Sequence, residues 1–465
     1  MNSILQLKGR FEQRSNRSRP GSPKLPKGKS VSASHLRELE KQLERILVYW
    51  TENKDIRGAL VSVHYKHIVA KSNRLKILLS ENGKSPTESI RGAKFVWEPD
   101  QKGNEVQKHV FTHFVSLQAI EKSIDVLKKT ASIIEQYYKG SVPSEVIEEL
   151  GEKYHFNEVP KTSFLKTMVD GFYVERFDID RATEEITEEA IITIYQTGVD
   201  TKRLLSKFGI DIVDDRIIDG TTLRLNPDEV KLLYNNASYL IAMGVTDFSE
   251  ISRDDVLDAY EDMEEDAGLL IPHPQNEPVI GVIDTQFNEK VYFHEWVEYK
   301  NLLDPNIPLS RKDYEHGTAV SYIIVDGPQG NPELADGCGR FRVRHFGVAT
   351  NNGFSSFTVL KMIRNIVASN RDIKVWNLSL GSKLEIKPNF ISPEAAELDR
   401  IQSEYDVIFV VAGTNIPSGV TKKNMRIGSP ADSLNSMVVN AVDFAGNSAS
   451  YTRIGPVLSF FHKPD

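Results

Sequence analysis

Cysteine is almost absent: the 465 residues contain one, Cys338. A single thiol closes no internal disulfide, so nothing describes a secreted, cross-linked scaffold. Cys338 lies in the turn-like Asp336-Gly337-Cys338-Gly339, where a loop or buried thiol is the expected role and a nucleophile the minor alternative. Long apolar runs are missing too. None approaches the roughly 18 residues needed to cross a bilayer, and the N-terminus lacks the apolar region of a secretory signal. Positive charge is not in excess: 57 Lys+Arg face 65 Asp+Glu, a net charge of −8 with pI ≈ 5.9. No global basic field therefore attracts nucleic acid. What remains is an ordinary balance, 40% hydrophobic and 26% charged, in a chain long enough for two or three domains that bury their cores without staples.

Residues 1–30 hold eight Lys/Arg and one acid, Glu12, with Pro20, Pro23 and Pro26. A solvated, disordered tail is expected; the prolines break the long amphipathic helix that a transit peptide or nucleic-acid arm would use. In 31–160, Leu36, Leu39, Leu43, Ile46, Leu47 and Trp50 recur at helical spacing. Strands are expected at Ala59–Tyr65, Ala93–Trp97 and Lys108–Val115, then a helix from about Ser116, giving an α+β domain. A second α+β unit is expected over 161–250. Met168–Phe177 reads there as a strand, Thr222–Leu225 as another, and Tyr239–Val245 as a third. Between the last two, Asn226-Pro227-Asp228-Glu229 opens a helix with a capping residue, a proline at its first position and a capping box. Residues 254–266 carry eight Asp/Glu without EF-hand spacing, so 251–274 reads as an acidic linker rather than a metal site.

From 275 to 465 short, nearly continuous apolar runs alternate with helical periods. The strands are Val279–Ile283, Arg342–Val348, Lys374–Leu378, Val407–Val411 and Met437–Val442; helices lie near Ser355–Ser369 and from Ser392-Pro393-Glu394. This predicts an α/β fold with a doubly wound, mostly parallel sheet, whose chemistry sits beyond the C-terminal strand ends. Four features fall at those ends or at helix starts. Asp284 closes Gly281-Val282-Ile283-Asp284-Thr285. His316 opens His316-Gly317-Thr318, 32 residues later. Asn377-Leu378-Ser379-Leu380-Gly381 leaves a strand with backbone free to pair with an extended peptide. Asn415 ends Ala412-Gly413-Thr414-Asn415, where a fixed amide can donate to an oxyanion. Each alone reads more readily as a cap, a structural histidine, a strand exit or a turn.

Taken together and in this order, with Ser429-Pro430-Ala431 and Ser448-Ala449-Ser450-Tyr451-Thr452 further on, residues 279–465 resemble the catalytic domain of subtilisin-like serine proteases, the S8 peptidases. The resemblance implies a serine endopeptidase acting on polypeptide substrates through an acyl-enzyme. Asp284 would orient His316, His316 would act as general base and then acid, Asn415 would serve the oxyanion, and Ser379, Leu380 and Gly381 would form a wall of the substrate groove. No cofactor is implied; structural calcium is left open.

Three departures stand out. Gln286 follows Asp284-Thr285 where the family usually has Gly. The asparagine motif reads Ala-Gly-Thr-Asn instead of Ala-Ala-Gly-Asn. The Gly-Thr-Ser-x-Ala-x-Pro motif is expected after Lys463-Pro464-Asp465, so the nucleophilic serine is expected beyond these residues, in a longer parent of which this chain is a fragment. The alternative is a catalytically inactive subtilase-fold binding or regulatory module.

By topology, the unit around 161–250 resembles a subtilase propeptide, an intramolecular inhibitory domain whose exit, after about residue 246, enters the groove as a product-like tail. The long N-terminal region without a signal also resembles subtilases encoded beside AAA-type ATPases, which implies a cytoplasmic protease with an ATPase partner. A nucleotide-binding protein is disfavoured, because no Gly-x-x-x-x-Gly-Lys or Gly-x-Gly-x-x-Gly loop follows a strand. A metallohydrolase is disfavoured too: His109 and His113 lie in a strand-like segment without a His-Glu-x-x-His pattern.

Overall fold

A computed structural model describes residues 25–464 except 82–83, 100–102, 148–153, 184–187, 250–270, 352, 388–389, 417–424, 443–444 and 459–460. The acidic run 254–266 and most of the basic tail lie outside the described residues. The chain divides into two compact units. One comprises Gly9–Thr187 with Ile192–Gly244, the other Glu188–Ile191 with Val245–Asp465.

In the first unit, helix α1 (Ala33–Glu52) buries Leu36, Leu39, Leu43, Ile46 and Trp50, the stripe that its 3.6-residue period places on one side. Strands β1 (Ala59–Tyr65), β2 (Ile90–Pro99) and β3 (Glu105–Val115) follow, then α2 (Leu117–Tyr137), capped by Ser116 Oγ on the Ala119 N–H. Helix α3 (Lys161–Tyr173) leads into β4 (Val174–Asp178). The four strands form one sheet in the order β2-β3-β1-β4, antiparallel throughout where register is defined.

The strand expected at Met168–Phe177 is therefore corrected: its first six residues are helix and only Val174–Asp178 is strand. Phe164, Leu165, Met168, Val169 and Tyr173 are buried at i, i+1, i+4, i+5 and i+9, a helical stripe that a short apolar run hides. A three-stranded sheet, with order β6-β5-β7, is formed by β5 (Ala190–Ile194), β6 (Thr222–Leu225) and β7 (Ile241–Thr246), all of β6 and most of β5 and β7 lying in the first unit. Between β6 and β7, α4 (Pro227–Ala237) starts with the expected box: Asn226 accepts from the Glu229 N–H at 2.9 Å, and Glu229 accepts from the Asn226 N–H at 2.9 Å.

The second unit is built on a six-stranded sheet. After the two-residue β8 (Phe248–Ser249) come β9 (Val279–Asp284), β10 (Val297–Asn301), α5 (Glu315–Gly330), β11 (Arg342–Gly347), β12 (Phe354–Ser355), α6 (Ser356–Ser369), β13 (Val375–Leu378), α7 (Pro393–Tyr405), β14 (Ile408–Ala412) and β15 (Met437–Val439). The order is β10-β11-β9-β13-β14-β15 and every pairing is parallel. From β9 the chain first goes to the edge for β10, comes back inward for β11 beside β9, then crosses to β9's other side for β13, β14 and β15. This is a doubly wound sheet with its switch point between the C-terminal ends of β9 and β13, the place where such sheets open a crevice.

Strand β10 was not expected. Its alternating Val297-Glu298-Tyr299-Lys300 belongs to an edge strand with one covered face, not to the continuous apolar runs of the interior strands. The centre of the sheet is set by Trp376, fully buried and stacked on Phe409 with ring centroids 6.3 Å apart. Gly281, its register partner on β9, leaves room for the indole; a Cβ there would overlap the six-membered ring. Gly281→Ala is expected to destabilise the second unit by about 1–3 kcal/mol, the usual range for overpacking. Denaturation followed by tryptophan fluorescence would show an earlier transition; an unchanged midpoint would mean that the strands separate without strain.

Candidate active site

Asp284 is the last residue of β9 and is fully buried. Its Oδ1 accepts a hydrogen bond from the Thr285 N–H at 2.7 Å and lies 2.5 Å from His316 Nδ1. His316 sits in the first turn of α5 with 26% of its side chain exposed, so the ring bridges a buried carboxylate and the surface. The start of α5 is tied to the strand exit by the Gly317 N–H, which donates to Thr285 Oγ1 at 2.9 Å. Gly317 has to be glycine for this approach, since a Cβ would stand 2.7 Å from the carbonyl oxygens of both Thr285 and Gln286.

Burial opposes charge on both partners, and their mutual attraction outweighs it. Asp284 is held below its ordinary 3.8, and His316 is raised above its ordinary 6.5. Asp284 occupies Nδ1, which leaves Nε2 as the nitrogen available for proton exchange.

Across the switch point, register aligns Ile283 with Leu378 and Leu378 with Val411. Asp284, Ser379 and Ala412 are the next residues of three adjacent parallel strands, so their exits share one edge of the sheet. Ser379 donates its hydroxyl to Asn377 Oδ1 at 2.9 Å, Leu380 is buried, and a Cβ on Gly381 would overlap the Thr414 methyl group. The 379–381 segment is thus in contact with the residue before Asn415. Asn415 is half-buried and bridges to Thr452. The structure accordingly joins Asp284 to His316 directly and gathers Ser379, Leu380, Gly381 and Asn415 along the neighbouring strand exits.

Arg453 and His345 escaped the sequence reading, and Gln286 was seen there only as a departure. Gln286, which replaces the expected glycine, is fully buried; its Nε2 donates to the Ala349 carbonyl at 3.0 Å and its Oε1 accepts from Tyr299 at 2.7 Å. The substitution fastens the turn after Asp284 to β10 and to the exit of β11. Arg453 is fully buried and gives its guanidinium to backbone carbonyls, including Asn415 at 2.8 Å and Lys383 at 2.7 Å. It holds the exits of β13 and β14 together. The visible signal was an Arg in the apolar stretch 451–458. His345 also lies here, at an inward-facing position of β11.

The weaker candidates stand apart. Cys338 is exposed, and Asp336 pushes its thiol above the ordinary 9.0, the reverse of an activated thiolate. His113 is buried in the first unit, where burial lowers it to about 3, and its Nδ1 meets the Ser89 hydroxyl at 2.9 Å. His109 Nδ1 accepts from the Val69 N–H. Among the described residues no group of three or more His, Cys, Asp or Glu side chains is arranged to hold a metal ion, and no helix is long and apolar enough to cross a membrane.

The subtilase family (Peptidase_S8) matches residues 275–465. No curated protein matches the sequence. Among solved structures, the prenylagaramide maturation protease PagA is 16% identical with a TM-score of 0.31, over 40% of this chain and 61% of that one. A point mutant of the protease domain of PatA is 16% identical with a TM-score of 0.30, over 41% of this chain and 66% of that one. The epidermin leader peptide processing serine protease EpiP from Staphylococcus aureus is 17% identical with a TM-score of 0.34, over 58% and 73% respectively. The chain thus spans less than two thirds of the first two structures. The family match begins just ahead of β9 and takes in the whole six-stranded sheet: it is residues 275–465 that are similar to the subtilase family.

Proposed function

We propose that this protein is a serine endopeptidase in which Asp284 and His316 are two members of an Asp-His-Ser triad, the serine being carried by sequence that follows Asp465. The observation that carries the reading is the 2.5 Å contact between Asp284 Oδ1 and His316 Nδ1 at the switch point of a parallel sheet. With Nδ1 engaged, Nε2 takes the serine proton as Oγ attacks the scissile carbonyl carbon. The carbonyl π pair moves onto oxygen, and the Asn415 amide donates to that oxyanion. Collapse breaks the C–N bond, and the imidazolium returns the proton to the leaving amine. Water then repeats the sequence on the acyl-enzyme, releasing the acid and regenerating the serine. The backbone of Ser379, Leu380 and Gly381 holds the substrate as an added strand.

The test uses the serine-bearing form, meaning the chain continued through its serine motif, against an unfolded polypeptide. Cleavage is expected, and Asn415→Ala is expected to lower kcat about 10²–10³-fold with little change in KM, the loss that one oxyanion donor carries in this class of enzyme. An unchanged kcat would remove Asn415 from that role. The acid limb of the rate profile is expected above pH 6.5, since His316 is raised above that value and must be neutral to accept the proton. A limb below 6.5 would contradict the pairing with Asp284.

An inhibitory N-terminal region belongs to the same proposal. Its support is β8, which pairs antiparallel with β12 through Phe248–Ser355 and Ser249–Phe354. Just before it, Asp247 caps α6: its carboxylate accepts from the Ser355 hydroxyl at 2.9 Å and from the Phe357 N–H at 3.0 Å. In this reading a strand seated there would compete with an extended substrate for the edge of β12. Adding residues 31–250 in trans to the serine-bearing form is expected to inhibit it; unchanged activity over a wide concentration range would remove the idea. The cytoplasmic location and the AAA-type ATPase partner are further proposals, and co-purification of the tagged protein without any ATPase would count against the second.

A further inference from the structure

Asp284 is approached by a second imidazole. His345 on β11 is fully buried, with Nε2 2.8 Å from the Thr285 carbonyl oxygen and Nδ1 2.9 Å from Ser321 Oγ. A carbonyl oxygen only accepts, so Nε2 carries the proton. Nδ1 then presents its lone pair to the Ser321 hydroxyl. Both ring nitrogens are used, which fixes the tautomer and the orientation. Phe287 and Tyr299 flank the ring, each with centroids 5.7 Å away, and its Cε1 occupies the space that a Cβ on Gly317 would need. His345, on the strand beside β9, thus touches the residue after Asp284, the helix that bears His316, and Tyr299 of β10.

We infer that His345 is a positioning residue for the Asp284–His316 pair: as a neutral Nε2–H imidazole it clamps the exit of β9 to helix α5 through Thr285 and Ser321, and so sets the distance between carboxylate and base. This rests on the reading of Asp284 and His316 given above. The ionisable groups around the ring are Asp284 on β9, His316 on α5 and Tyr299 on β10. Burial is the largest influence on His345 and lowers it, with His316 acting in the same sense; the Thr285 carbonyl and Asp284 oppose this without overcoming it. Neutrality matters, because a second imidazolium beside Asp284 would divide the charge that holds His316 in its tautomer. In sequence the clamp spans 60 residues from Thr285 and 24 from Ser321, so it ties together segments that the chain itself leaves independent.

The test is nitrogen NMR of the 465-residue chain labelled at histidine, with His316 and His345 assigned by substitution and both followed from pH 5 to 8. In the unsubstituted chain, His345 is expected to show the neutral Nε2–H pattern throughout, while His316 titrates above 6.5. His345→Leu removes both hydrogen bonds, and the midpoint of His316 is expected to fall by about 0.5 unit or more as its contact with Asp284 loosens. His345→Gln keeps an amide donor near the Nε2 position and is expected to restore most of that shift. Ser321→Ala removes one bond without emptying the core and is expected to move His316 the same way by less, which covers the case of a Leu variant that does not fold. An unmoved His316 in both the Leu and Ala variants, or a His345 that titrates as a cation in this range, overturns the inference. Asp284→Asn in the same chain separates the two levels. If it lowers the His316 midpoint while His345→Leu does not, the clamp is wrong and the pair stands. If Asp284→Asn changes nothing, the pair itself is wrong.

Discussion

His316→Ala in the serine-bearing form is expected to lower kcat about a million-fold, the magnitude known for the histidine of subtilisin itself and carried over here. The expectation follows from geometry. Asp284 is fully buried with its Oδ1 committed to Thr285 and His316. Among the described residues its Oδ2 has no hydrogen-bond partner, so no group already placed at the carboxylate can take over when the imidazole is removed. His345 cannot substitute, since it is walled in by Phe287, Tyr299, Thr285 and Ser321 and has no path to a substrate. Single-turnover kinetics separate this from a folding defect, because binding of a peptide inhibitor should survive while acylation disappears. A variant that still cleaves within tenfold of the unsubstituted rate would mean that the proton goes elsewhere.

Asp284→Asn is expected to cost about 10⁴-fold in kcat, less than loss of the histidine and for a different reason. The asparagine amide can donate to Nδ1, which drives the ring proton to Nε2, the nitrogen that has to accept the serine proton. The pH dependence should change with it. Asp284 raises His316 above 6.5 against the effect of burial; without the carboxylate, burial alone remains and the midpoint falls below 6.5. The acid limb therefore moves to lower pH while the plateau collapses. Because the two residues act as one unit, the double variant is expected to be no slower than His316→Ala alone. A double variant slower by the product of the two single losses would show that they act independently.

Much of the scaffold was legible because local pattern and tertiary role agree. Ala59–Tyr65 is seven residues of strand bounded as read, and Asn226-Pro227-Asp228-Glu229 forms the box that its letters specify. Asp284 and His316 were legible through order and spacing, each at an element end. Misreadings came where local pattern is degenerate. The apolar residues between Met168 and Tyr173 suit a strand or a helix, and only packing on the helical stripe decides. Val297–Asn301 has the sparse alternation of an edge.

The parts that hold the site together were hidden for a further reason: their partners are remote in sequence. His345 takes its meaning from Thr285 and Ser321, Gln286 from Tyr299 and Ala349, and Arg453 from carbonyls near 382–384, 415 and 426. A string of letters marks such residues only as polar groups in apolar company, which calls for a partner without naming it.

The most direct measurement is reaction of the serine-bearing form with an organophosphonate, followed by mass mapping of the modified residue, alongside the His316→Ala variant. One adduct is expected, on a serine C-terminal to Asp465, with its loss in the variant. An adduct on a serine within residues 1–465, or one that forms equally fast without His316, would contradict the assignment of Asp284 and His316 to a serine protease triad.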